Sequence, residues 1–232
     1  MPLFQRWFGK QKFRRLADSF TLTDSNKQAT LCHWIRQQTD AGDTVIVLCH
    51  FQSSFLQNQQ AIQAAEIDFE ILADPVDELN LANRIRTEFR GKVVLTMAAM
   101  LNQSPDTTRL NNDLAYREKN DNQPSVAVIV TERYPITSQD DMIESFFHQT
   151  QLPVAIGYVI SFEDPMLRHL LGERFIALLK QLGLGSNDLI SSTMTNKELS
   201  RQLVQATRSV ENETVATSPE EWIELNLKQQ ER

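Results

Sequence analysis

Glycine and cysteine are both scarce in this sequence. Its 232 residues include only seven glycines and two cysteines, Cys32 and Cys49. Two cysteines are too few for a disulfide framework, which indicates a reducing, intracellular setting. Glycines let a backbone approach phosphate closely, and the phosphate-loop pattern G-x-x-x-x-G-K-[ST] is absent. The sequence therefore excludes a phosphate-binding loop of that type.

Long apolar runs and a secretory signal are also missing. No run approaches the roughly 20 apolar residues that a membrane-spanning helix needs. Residues 1–17 lack the continuous apolar stretch and the small-residue cleavage site of a signal peptide. With 41% hydrophobic residues, the chain is long enough for one sizeable core, or for one domain with extensions. We expect a cytoplasmic location, either free or peripheral at the inner membrane.

Basic residues are concentrated at the N-terminus, and the rest of the chain is acidic. The formal net charge is −7, and residues 1–15 contribute +5 because they contain five Lys and Arg and no acid. The remaining residues therefore carry −12, the difference between these two values. An acidic body repels phosphate backbones, so we predict that nucleic acid is not a partner.

The basic segment, residues 1–17, has the pattern of an amphipathic helical arm. In helical phase, apolar residues lie on one side and cations follow at four-residue steps on another. The candidate membrane- or partner-binding residues are Phe4, Arg6, Trp7, Phe8, Lys10 and Arg14. Aromatic and basic residues together suit a helix in the headgroup layer of an anionic membrane. Docking on the chain's own domain, binding in a partner groove and a frayed tail stay open, because Gly9 interrupts a short helix.

Strand and helix patterns alternate from residue 18 to residue 164. Continuous apolar runs are typical of strands that are covered on both faces. The predicted strands are 44–49, 69–72, 92–96, 125–130 and 154–160. Helical patterns separate them, so we predict an α/β lobe with a parallel sheet and helices on both faces.

Two segments depart from this alternation. Residues from about 101 to 124 are polar with little periodicity, and we predict a long mobile loop there. After Asp164-Pro165, a cap followed by a first-turn proline, only helical patterns follow. Residues 165–232 are therefore predicted to form a helical C-terminal extension. Thr195 and Glu198 have the spacing of a capping box that begins one of its helices.

Three blocks of this sequence resemble a known family. They are Asp18-Ser-Phe-Thr-Leu-Thr23, the strand Val128-Ile-Val-Thr-Glu-Arg133, and the helical exit that includes Glu163-Asp164 and Gly172-Glu-Arg174. With the order of elements, they resemble the second nucleotide-binding lobe of SecA, the ATP-driven bacterial preprotein translocase motor. The resemblance runs from Asp18 to about Asn212, with the first block as the linker that enters the lobe. It implies a RecA-like fold, that of a helicase second lobe.

This sequence departs from that family at the segments that contact nucleotide and carry out catalysis. Where the family has a Gly-Arg-Gly-Thr-Asp loop that contacts nucleotide, this chain reads Met97-Ala-Ala-Met-Leu-Asn-Gln103. Where the family has an arginine-rich catalytic helix, residues 138–149 contain no arginine and carry Asp140, Asp141 and Glu144. An arginine in that role is worth about 10³–10⁵ in the rate of phosphoryl transfer. We therefore predict that the chain is not an enzyme and has no catalytic residues, metal or resident cofactor.

Other candidate constellations have plainer explanations. Cys32-His33 and Cys49-His50 lack the spacing of a zinc site. Cys49 in an apolar strand is typical of an inert core thiol. Arg133, at the end of the matched strand, is the residue that we assign to cofactor binding, since it could still meet a phosphate, with a surface salt bridge as the alternative.

The leading hypothesis is a non-catalytic SecA-like adaptor or regulator at the cytoplasmic face of a bacterial membrane. Its protein partner would be a translocase or secretion-system component, or an envelope-assembly machine. Two alternatives stay open: a domain that senses a nucleotide without hydrolysing it, and an RNA-binding helicase-like lobe.

Overall fold

A computed structural model describes residues 13–103, 123–181 and 193–227. Its strands are β1 (Phe13–Arg15), β2 (Ser19–Thr21), β3 (Thr44–Cys49), β4 (Glu70–Leu72), β5 (Val93–Met97), β6 (Val126–Val130) and β7 (Val154–Ser161). Its helices are α1 (Asp24–Asp40), α2 (Gln52–Ala64), α3 (Glu78–Thr87), α4 (Thr137–Gln149), α5 (Pro165–Gln181), α6 (Thr193–Ser209) and α7 (Pro219–Asn226).

All the strands pair in parallel in one sheet. The order is β1-β7-β6-β3-β5-β4, and β2 also pairs with β7. Because β6 occupies one edge of β7, β1 and β2 lie one after the other along its other edge, with Phe13 opposite Val154 and Thr21 opposite Ser161. The α/β class and the parallel sheet predicted from the sequence are confirmed.

The sheet has a hydrophobic core on each face, because successive side chains of a strand point to opposite sides. In β3, Ile46 and Leu48 belong to one core, while Val45 and Val47 belong to the other. Helices α1 and α2 cover the second core, and α3 to α7 cover the first. Helices therefore lie on both faces, as predicted.

The N-terminal part of the sheet corrects two predictions. Residues 13–15, assigned to a helical arm that ends at residue 17, form β1, so Arg14 lies in a strand and not on a helical face. The segment 18–23, expected to be a linker, contains β2. Between the two strands, the Leu16 amide donates to Ile156 O at 2.8 Å, and the leucine packs over Gly157, where an added Cβ would lie 3.3 Å from it. Strands of three residues, such as β1 and β2, are too short to show a periodicity in the sequence. Only their pairing with β7 defines them.

The predicted loop at 101–124 overlaps the described residues only at its ends. Leu101 is buried and forms a bridge with Val76, whose amide donates to Met100 O at 2.8 Å. Leu101 therefore belongs to the packed fold, and residues 104–122 of the predicted loop lie outside the described part of the chain.

The helical extension follows the predicted order with two differences. Helix α5 is broken at Gly172, which has φ 74° and ψ 154°. Helix α6 begins at Thr193, so Thr195 lies buried within its first turn and is not its cap. The cap of α7 is Ser218, whose hydroxyl accepts from Glu221 N at 3.2 Å.

The extension packs against the lobe and shares its core. Leu199 and Leu203 of α6 and Trp222 of α7 are fully buried in the same cluster as the strands. Trp222 Nε1 also donates to Glu213 at 2.7 Å. Among the helices of the described ranges, none is long and apolar enough to cross a membrane.

Candidate functional site

The carboxyl ends of β3, β6 and β7 meet at one edge of the sheet, where α/β folds commonly bind ligands. Polar residues follow all three strands: His50 after β3, Glu132 and Arg133 after β6, and Asp164 shortly after β7. Glu132 and Asp164 are buried despite their charge. We call this edge, with the side chains that contact it, the strand-end site.

Glu132 fills the N-terminal end of helix α2 with a carboxylate. Its Oε1 accepts from His50 N at 2.7 Å and from Phe51 N at 3.1 Å, and its Oε2 accepts from the Ser54 hydroxyl. Only 1% of the residue is exposed. The exposed amides and the dipole of a helix N-terminus attract anions such as phosphate. In this protein the chain's own carboxylate occupies that position.

A neutral hydrogen-bonded layer lies beside Glu132. Asn58 Nδ2 donates to Thr131 Oγ1 at 3.0 Å and to Cys49 Sγ at 3.3 Å. Burial, together with the charge of Glu132, raises the pKa of Cys49 to about 12. The thiol is therefore protonated at neutral pH, which is consistent with an inert core cysteine.

Asp164 is the second buried carboxylate of the site. It begins helix α5 by accepting from Met166 N at 2.9 Å and from Leu167 N at 3.3 Å. Burial raises its pKa to about 6 against the lowering effect of Lys27, and the negative charge of Glu132 adds to the increase. The two carboxylates therefore repel each other, and the buried Lys27 partly compensates them.

Asp164 gives the protein a specific pH dependence. A folded-state pKa of about 6, above the ordinary 3.8, means that the protonated form contributes stability, fully present below about pH 3.8 and lost as the pH rises through 6. We predict that the free energy of unfolding, relative to that of Asp164→Asn, falls by about 2–3 kcal/mol from pH 4 to pH 7.5. Urea denaturation at several pH values measures this. Asp141→Asn, an exposed substitution of the same type, should follow the unmodified chain, and parallel profiles for Asp164→Asn would contradict the prediction.

Arg133 is held by carboxylates of its own chain. Its Nε lies 3.0 Å from Asp140 Oδ2 and its Nη1 lies 3.3 Å from Asp18 Oδ2, and its side chain is 13% exposed. The guanidinium also lies over the ring of Tyr158, with Cζ 4.6 Å from the ring centroid. Arg133 therefore forms salt bridges, but in a mostly buried setting and not at the surface as the alternative expected.

These contacts extend into a network of charges from five parts of the chain. Asp18 also pairs with Arg15, which lies over the same tyrosine ring at 4.2 Å and pairs with Glu144 at 2.8 Å. At the other end, Asp140 Oδ1 lies 3.3 Å from His50 Nε2. We call this set the charge network; its members are Arg15, Asp18, His50, Arg133, Asp140 and Glu144. Its three carboxylates outnumber its two arginines.

The sequence-predicted site residues are thus placed only in part. Arg133 lies in the strand-end site, and Arg14 is the exposed residue of β1. Phe4, Arg6, Trp7, Phe8 and Lys10 lie outside the described residues. Within the described ranges, no three His, Cys, Asp or Glu residues form a group that could hold a metal ion.

Comparisons with known proteins give a limited result. No protein family and no curated protein matches the chain. Among solved structures, the C-terminal part of the Fun30 ATPase domain matches with a TM-score of 0.40 and 12% identity, over 80% of this chain and 56% of that one. The α/β fold is evident from the sheet itself.

Sequence reasoning missed the residues that fill the site. Glu132 stands in the quoted strand motif, and a charged residue directly after a buried strand is the signal that could have identified it. Arg15 and Lys27 gave no such signal, because their partners are far away in the sequence.

Proposed function

We propose that the protein is a non-catalytic relative of the SecA motor lobe that acts by binding a protein partner. In this proposal it is an adaptor or regulator at the cytoplasmic face of a bacterial membrane, and the partner is a component of a translocase or of a secretion or envelope-assembly machine. The observation that carries the proposal is the filled strand-end site, in which the chain's own carboxylates take the positions that phosphate would need.

Nucleotide sensing fits these contacts poorly. A phosphate at the N-terminal end of α2 would have to displace Glu132 from two amides and a hydroxyl. A phosphate at Arg133 would have to compete with Asp18 and Asp140, and would then lie against their charges. Phosphate sites are normally lined by amides and cations, not by carboxylates. RNA binding is disfavoured for the same electrostatic reason, since the chain carries −7 overall.

The membrane part of the proposal rests on residues 1–12 and not on 1–17. The aromatic and basic pattern there favours an anionic lipid surface or a partner groove. Because residues 13–15 belong to the sheet, removal of 1–17 would also remove β1 and Arg15. A deletion that ends at residue 12 separates the arm from the fold.

Affinity purification tests the proposal. The tagged full chain and a version that begins at Phe13 are purified from native cells, with membrane and soluble fractions kept apart. We expect the full chain to retain a defined membrane-associated protein, and the truncated chain to lose most of it. If neither retains a partner in either fraction, the adaptor proposal is wrong.

A nucleotide control accompanies this experiment. A ligand at 100 times its dissociation constant stabilises a fold by about 2.7 kcal/mol, which corresponds to several degrees in Tm. Millimolar Mg-ATP or Mg-ADP should therefore leave the Tm of the full chain within about 1 °C. A larger shift would favour the nucleotide-sensing alternative.

A further inference from the structure

The outward face of helix α6 carries a stripe of three cations and two apolar residues. The stripe consists of Met194, Lys197, Arg201, Val204 and Arg208, and all five are exposed. At 100° per residue they fall within about 80° of the helix circumference, over a length of about 21 Å. We call this surface the α6 stripe.

The opposite side of α6 explains why the stripe faces outward. Leu199, Leu203 and Ala206 are buried in the core, and Thr195 is fully buried in the first turn. Met194 is nevertheless 52% exposed and Val204 is 41% exposed. Two of the most exposed large hydrophobic residues in the described chain therefore lie on one line with three cations.

The stripe is basic within an acidic protein. Helix α6 contains three cations and one acid, a net charge of +2, while the chain carries −7. Glu198 pairs with Arg201 at 2.6 Å, and this contact lowers the pKa of Glu198 to about 2. Among the described residues, no acidic side chain forms an ion pair with Lys197 or Arg208.

We propose that the α6 stripe binds an acidic, amphipathic segment of a partner protein. Carboxylates of that segment would pair with Lys197, Arg201 and Arg208, and its apolar residues would cover Met194 and Val204. Methionine suits such a contact because its unbranched, polarisable side chain adapts to irregular surfaces. The inference rests on the proposed function, and it names the chemistry of the partner and where that partner docks.

A protein segment fits the stripe better than a membrane or RNA does. The inner face of α6 is packed on the core, so the helix cannot sink into a bilayer and only two apolar side chains would enter it. The chain carries −7 and α6 carries +2, so the rest of the chain carries −9. A flat anionic membrane surface would be repelled by that negative charge. RNA would meet the same charge. A bound segment contacts only the stripe.

Site-specific photo-crosslinking in native cells tests the inference. The full chain carries p-benzoylphenylalanine at position 204, or at the control position 56, since Leu56 is similarly exposed on α2. We expect a protein crosslink at 204 at least about tenfold stronger than at 56, and a crosslinked peptide that is net acidic and amphipathic.

Lys197→Glu/Arg208→Glu should reduce the crosslink at least about tenfold, which is a loss of about 1.4 kcal/mol from two charge contacts. Arg36→Glu/Arg90→Glu changes the charge equally at another surface and should leave it within about twofold.

The opposing outcomes are also distinct. A crosslink to lipid, to RNA or to a second copy of this chain overturns the inference, and so do the absence of a crosslink and a crosslink that is insensitive to the charge reversal. The variant Lys197→Gln/Arg208→Gln removes the same two cations without placing an acid in the last turn of α6. Its crosslink should lie between that of the unmodified chain and that of the charge-reversal variant. If affinity purification retains a partner that position 204 does not contact, the stripe inference fails and the proposed function stands. If no variant retains a partner, the proposed function itself fails.

Discussion

Replacement of Glu132 by alanine is expected to lower the free energy of unfolding by about 4–5 kcal/mol. Three donors, the part-buried amide of His50 and the buried amide of Phe51 and hydroxyl of Ser54, lose their acceptor together. Hydrogen bonds to a charged group contribute about 1.5–3 kcal/mol each, and orphaned buried donors add a desolvation cost. Relief of the repulsion with Asp164 offsets part of this loss. Denaturant unfolding measures the change.

Glu132→Gln is the matched control, because it keeps the shape of the side chain and one oxygen acceptor. The glutamine carbonyl can accept from both amides, and its NH₂ group can donate to Ser54 Oγ when that hydroxyl rotates. We expect a loss of about 1–2 kcal/mol for this variant. A typical domain has only 5–15 kcal/mol of stability, so the alanine variant should be partly unfolded at 37 °C while the glutamine variant stays folded. Equal stability of Glu132→Ala and the unmodified chain would show that the carboxylate does not hold the end of α2.

The long strands of the sheet are predictable from the sequence because burial on both faces leaves a direct mark. Runs such as Thr44–Cys49 and Val126–Val130 are apolar at every or nearly every position. A half-exposed strand instead alternates apolar and polar residues. The strands β1 and β2 leave no such mark. Each has only three residues, and its position depends on hydrogen bonds to a strand that lies about 140 residues further along the chain.

The candidate site was predictable in its chemistry but not in its geometry. The sequence shows three acids in the segment 138–149, and the structure gives one of them, Asp140, a buried position against Arg133. It could not show that Glu132 caps α2, because the donors lie 78 to 82 residues earlier in the chain. Such contacts follow from the strand order, in which β3 lies beside β6.

The charge network makes Asp140 the second residue with a large expected effect. Asp140→Asn leaves Arg133, which is mostly buried, with Asp18 as its only ion-pair partner among the described residues. It also removes the carboxylate that lies 3.3 Å from His50 Nε2. Removal of one partner of a buried ion pair costs about 3–5 kcal/mol, and since Asp18 remains we expect about 3 kcal/mol for this variant. Thermal and urea unfolding measure the loss, and Asp141→Asn, which removes an exposed charge from the adjacent position, should change stability by less than about 0.5 kcal/mol.

A double-mutant cycle assigns the effect of Asp140 to the pair. Arg133→Gln alone leaves the Asp140 carboxylate buried beside His50, so it should also destabilise the fold. The double variant should be at least about 2 kcal/mol more stable than the sum of the single effects implies, because it removes both charges. Additive losses would mean that Asp140 and Arg133 act on stability separately. The Asp140→Asn protein also tests the filled-site argument, since it loosens Arg133 while Glu132 still accepts from the amides of His50 and Phe51 and the hydroxyl of Ser54. We expect no stabilisation of that variant by Mg-ATP, and a gain there would reveal a latent phosphate site that Asp140 keeps closed.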